Sequence, residues 1–152
     1  MSEWAVSAAS RFVSQESHES QKWMLAQLRY QSLLAQAPKL WEAVREALAS
    51  RIRTFNECVG REVLFVGVTT GQRITGYAKM ASGRRGLCAD FDTGRCAITC
   101  KAYSMDGIVD FNERYGMAIN GENVAVVTGA TGGEFSAEAL AEKLLNGLMG
   151  WR

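Results

Sequence analysis

Residues Asn123 to Leu145 read NVAVVTGATGGEFSAEALAEKLL: a short apolar run, a glycine-rich turn, then an amphipathic segment. How this stretch is read decides the fold. A strand that runs through the turn straight into a helix of a parallel sheet would make the chain α/β. A strand that ends a series of hairpins would make it α+β.

The stretch resembles the first strand, turn and helix of short-chain dehydrogenases, whose pattern is T-G-x-x-x-G-x-G. That resemblance implies a dinucleotide site, where glycines allow a tight turn and close approach of a pyrophosphate. Thr128, Gly129 and Gly133 match, but Phe135 stands at the last glycine position. Only 19 residues follow Gly133, too few for the further βαβ units that complete such a sheet. No Tyr-x-x-x-Lys pair follows, although that family needs one for catalysis. The turn is therefore expected to be a flexible strand-to-helix connection that holds no nicotinamide cofactor. Backbone amides at the helix start leave a weaker opening for an anion.

Upstream, the pattern favours the antiparallel reading. The runs VLFVGVT, ITGYAKM, GLCADFD, RCAITCKAY, MAI and VAVV are strand-like, and TGQ, SGRR, DTG, MDG and NG separate them. Regular short spacing of this kind predicts a meander of five to seven strands. Asn120-Gly121 is the strongest hairpin signal, as a type I′ turn. Ser136 is placed to cap a closing helix that runs to about Leu148, with Leu140, Leu144, Leu145 and Leu148 on one face.

Helical periodicity governs the N-terminal third. Trp41, Val44, Leu48, Ile52, Phe55 and Val59 are spaced by three and four residues, one face of a helix of about five turns. Gly60 follows as its expected C-cap. A second, less regular helix is expected from Gln21 to Gln36, ended at Pro38 because proline removes a helical hydrogen bond. Residues 1–20 are expected to be flexible or weakly helical, and residues 21–152 to form one α+β domain. In that domain, N-terminal helices and a C-terminal helix pack on one face of the antiparallel sheet.

Composition is ordinary for a globular protein: 47% hydrophobic, 22% charged, net charge +1. Charge is unevenly spread, with a local +5 between Arg51 and Lys101 and a local −6 between Ala102 and Glu142. No stretch has the roughly 20 apolar residues of a membrane helix. The N-terminus lacks the basic and apolar regions of a secretory signal, so a cytoplasmic location is expected. The four cysteines are then expected to be reduced.

The candidate sites divide between chemistry and structure. Asp92-Thr93-Gly94 resembles the catalytic triplet of aspartic proteases, but such chemistry needs two facing carboxylates and so a dimer. Asp-Thr-Gly between two strands also suits a hairpin turn with positive φ at glycine. Cys96 and Cys100 alternate with polar neighbours and are expected in the core rather than on a metal. His18 is the only histidine and lies in the polar segment SQESHES, where a solvated side chain is expected. The remaining candidates are the arginines at expected turns: Arg73 and Arg95 toward one end of the meander, Arg84 and Arg85 toward the other. Guanidinium groups suit phosphates and carboxylates. The turns carry no interleaved aromatics, so nucleic acid is not the expected partner.

The expected function is accordingly that of a non-catalytic, homodimerising interaction module, with no cofactor and no metal. A small-ligand carrier with a pocket between helix and sheet is one alternative. An anion or nucleic-acid binder acting through Arg73, Arg84, Arg85 and Arg95 is another, and a dimeric hydrolase using Asp92 a third.

Overall fold

The computed structural model describes residues 2–151. It contains one long helix α1 (Glu3–Val59), seven strands and a closing helix α2 (Ala137–Met149). The strands are β1 (Leu64–Thr69), β2 (Arg73–Met80), β3 (Gly83–Asp92), β4 (Ala97–Tyr103), β5 (Val109–Ile119), β6 (Ala125–Thr128) and β7 (Glu134–Phe135). They form a single antiparallel sheet in sequence order, so every connection is a hairpin. The α+β class and the meander read from the sequence hold, at the upper end of the expected strand number.

Burial alternates along the strands and identifies the covered face. Ile74, Ala78, Leu87, Ala89, Phe91, Ile98, Cys100, Ala102, Tyr115, Met117 and Val127 point into the core. Trp41, Val44, Leu48 and Ile52 of α1 meet them there, with Leu140, Ala141, Leu144 and Leu148 of α2. Trp41 stacks on Phe91 with centroids 5.7 Å apart, and its indole N–H donates to Gly71 O at 2.9 Å. The Asn56 carboxamide donates to Leu64 O and accepts from the Val63 and Leu64 amides, holding the end of α1 to the start of β1.

Four local expectations are corrected. The first concerns Pro38, which does not divide two helices: α1 runs through it without a break. Both Pro38 and Leu34, whose carbonyl loses its donor, are exposed, so water can take the missing hydrogen bond. The helix begins at Glu3 and so takes in the N-terminal segment as well.

The Asn120-Gly121 hairpin exists but is not a type I′ turn. Asn120 N–H donates to Val124 O, the Asn120 side chain accepts from the Glu122 and Val124 amides, and Asn123 takes the positive φ of 61°. A side chain that bridges its own loop makes the longer connection favourable.

At Asp92-Thr93-Gly94 the turn reading holds, with Asp92 Oδ1 accepting from the Gly94 and Arg95 amides. The positive φ falls on Cys96 (48°), not on glycine.

The decisive glycine turn is not a strand-to-helix connection. It closes a hairpin between β6 and β7, and α2 starts only afterwards, capped by Ser136. Gly129 N–H donates to Gly133 O and Gly132 N–H to Gly129 O, so these two amides are used inside the loop. The Phe135 ring lies against Gly129, where an added Cβ would meet it at 2.7 Å. The residue that breaks the dehydrogenase pattern thus fills the space over the glycine.

Candidate functional site

Two free surfaces stand out, and each follows from how the elements pack. The first is the N-terminal half of α1. Contact with the rest of the protein begins at Ser32, whose hydroxyl donates to Asn123 Oδ1 at 3.3 Å. One turn later, the Gln36 carboxamide donates to Asn123 O and accepts from Ala125 N. Before that point every residue from Ala9 to Gln31 is exposed, including Phe12, Trp23, Met24, Leu28 and Tyr30. At 1.5 Å per residue, this exposed stretch is about 35 Å of helix.

The arm is not evenly apolar. Trp23, Ala26, Tyr30, Leu33 and Ala37 continue, by steps of three and four, the stripe that Trp41, Val44, Leu48 and Ile52 bury against the sheet. The same helical face is therefore core in its second half and uncovered in its first. Charge on the arm balances, with Glu3, Glu16 and Glu19 against Arg11, Lys22 and Arg29. His18 sits on this arm, exposed.

The second surface is the face of the sheet that carries no helix. Among the candidate arginines, Arg73 and Arg84 project from it and are exposed. Arg73 is held by Asp90, Nε to Oδ1 at 2.6 Å, and this hydrogen bond raises its pKa. Arg95 lies in the β3–β4 turn, exposed. Arg85 points the other way and is buried. Its Nε donates to Leu148 O at 2.7 Å and its Nη2 to both Asp110 oxygens at 2.7 and 2.9 Å, so it closes the C-terminal end of α2. The four arginines expected at the turns are therefore not one cluster. Alternation along β3 sends Arg84 and Arg85 to opposite faces.

Around Arg73 the open face carries a depression of about 280 Å³ lined by Arg73, Cys88, Asp90, Thr99, Lys101 and Tyr103. The Cys88 thiol there is raised above its ordinary value, by burial first and by Asp90 next. The other cysteine positions are Cys58, exposed, and Cys96 and Cys100, both buried as expected, Cys100 by the alternation of β4 and Cys96 from the turn that precedes it. The pKa of Cys96 is raised by burial and by Asp92. A groove between α1 and α2, about 260 Å³, is lined by Phe55, Leu64, Leu145, Met149 and Trp151 among others.

Among the described residues no group of three or more His, Cys, Asp or Glu is arranged to hold a metal ion, and no helix is long and apolar enough to cross a membrane. Comparison with protein-family models, curated proteins and solved structures finds no match.

Proposed function

We propose that this protein is a homodimerising interaction module whose contact element is the N-terminal half of α1. The observation that carries the reading is the apolar stripe that leaves the core after Ala37 and the half-buried Leu33 and continues uncovered through Tyr30, Ala26 and Trp23. Most helical stability in proteins comes from burying such a face, so an arm of this length needs a partner to stay helical. A contiguous exposed apolar surface of this kind marks an interaction site.

A second copy is the occupant that fits best. The stripe is continuous with the protein's own core, and two arms side by side would extend that packing without a change of register. Zero net charge on the arm gives no pull toward a polyanion or an anionic membrane. Met24 and Leu28 lie on a neighbouring face and widen the surface available to a partner helix.

Sedimentation equilibrium tests the proposal. The expected result is a dimer at micromolar concentration that Trp23→Glu with Tyr30→Glu converts to a monomer, while the denaturation of the body is unchanged. A wild-type monomer at high concentration, or a double variant as dimeric as the parent, would overturn it.

A further inference from the structure

The helix-free face of the sheet carries cations and aromatic rings in ordered rows, and from this we infer that it is a binding surface for single-stranded nucleic acid. The inference is independent of the self-association above, because it concerns the other side of the molecule. Strand register builds the rows. Arg73, Asp90, Thr99 and Arg114 stand opposite one another across β2 to β5, and Thr75, Cys88, Lys101 and Asn112 form the next row. Tyr77, Gly86 and Tyr103 follow, with Phe65 of β1 beside Tyr77, and Lys79 opposite Arg84 completes the set. Successive rows on one face lie about 7 Å apart, and neighbouring strands about 4.8 Å. None of these side chains is buried.

Charge on this face is one-sided. Across β2 to β5 it presents Arg73, Lys79, Arg84, Lys101 and Arg114 against the carboxylates Asp90 and Asp92. Both carboxylates are engaged, Asp90 by Arg73 and Asp92 by the amides of its own turn. A phosphate backbone therefore meets a surplus of cations and few repelling groups.

Rings stand among those cations. Phe65 and Tyr77 stack with centroids 4.9 Å apart, Lys79 lies over Phe65 at 5.1 Å and Arg84 over Tyr77 at 5.2 Å. Tyr103 is half-buried beside the depression that Arg73 and Lys101 line. Bases stack on aromatic rings and on guanidinium planes, and each base has such a face whatever its identity. Interleaved rings and cations on an open sheet are what a flexible single strand requires, and a globular acidic partner would gain little from the rings. A duplex fits poorly, because a seven-stranded sheet is about 29 Å wide and the major groove about 12 Å. The rings are in the strands, not in the arginine-bearing turns.

Fluorescence anisotropy with labelled oligothymidine and oligouridine of about 20 nucleotides, and with a duplex of the same length, tests the inference. Saturable binding of single strands should exceed that of duplex and weaken as salt rises from about 50 to 200 mM. Lys101→Glu or Arg84→Glu should each reduce affinity at least about tenfold at low salt and flatten the salt dependence. Tyr103→Ala should reduce affinity about 5- to 100-fold with the salt dependence unchanged, because a stacking contact carries no charge. Circular dichroism confirms that each variant is folded, and all these positions are on the solvent side of the sheet. Absence of saturable single-strand binding at low salt would overturn the inference. So would binding of heparin or duplex as tight as that of single strands and insensitive to Tyr103→Ala, which would leave a general polyanion surface.

Discussion

Arg85 shows how one residue's role depends on its strand phase. It and Arg84 are adjacent in sequence, yet one is buried against the end of α2 and the other lies over Tyr77 on the open face. The carbonyls of the last helical turn have no partners within the helix, and a cation there meets both those carbonyls and the negative end of the helix dipole. Replacing Arg85 by Leu removes that cap and leaves Asp110 without its partner. Asp110 itself is exposed, so the expected cost is about 1–3 kcal/mol, chiefly for the uncapped α2 carbonyls, against less than about 1 kcal/mol for Arg84→Leu on the surface. Urea denaturation of the two variants checks the contrast. Cys100 supplies a pH signature. Burial, with Cys88, Asp90 and Glu113 nearby, raises its thiol well above the ordinary 9.0. The fold holds the protonated form, so the unfolded chain releases this proton first. The stabilisation is full below pH 9 and is lost as pH climbs from there toward the folded value. That loss approaches about 1.4 kcal/mol per pH unit for one group. Burial and Glu113 raise Tyr115 in the same sense, with a window that opens near 10. The fall in stability between pH 8 and 10 should be smaller in Cys100→Ala than in the parent, whatever the variant's stability at pH 8.

Among the elements, α1 carries the most weight because a single helix serves two environments. Its second half is core: Leu48 is 1% exposed and Ile52 4%. Truncating Leu48 to Ala should therefore cost about 2–5 kcal/mol, while Glu46→Ala on the exposed side should cost under ~1 kcal/mol. Equal and mild effects in chemical denaturation would mean that α1 does not cover the sheet. The apolar spacing from Trp41 to Phe55 made this half legible in the sequence, as did Gly60, which ends the helix with φ of 87° and whose N–H donates to Asn56 O. Continuity through Pro38 was not legible. A proline's cost depends on whether water reaches the freed carbonyl, and only the packed structure shows that Leu34 and Pro38 face outward.

For the whole molecule, α1 joins a compact body to an arm that the body does not touch before Ser32. The two parts should lose structure separately. In the proposed dimer, association would stabilise the arm by mass action, whereas the body is held by its own core. On dilution, hydrogen exchange in Glu3–Gln31 should accelerate while the amides of β2 to β5 remain protected. Trp23→Glu with Tyr30→Glu should expose the arm at every concentration. Uniform slow exchange along α1 in a dilute monomer would show that the arm needs no partner.

Local periodicity and turn chemistry made the α+β class and the antiparallel meander legible in the sequence. Ser136 and Gly60 as caps, and Cys96 and Cys100 as core residues, belong to the same level. Tertiary structure decided the rest. It turned the apparent dinucleotide cradle into a hairpin, since pairing of Thr128 with Glu134 is a contact between strands that no local pattern announces. It also divided the arginines, because the side on which each lies depends on where the strand starts relative to its neighbours. The rows of cations and rings arise the same way: Phe65, Tyr77, Arg84 and Tyr103 are distant in sequence, and antiparallel register alone brings them to one face.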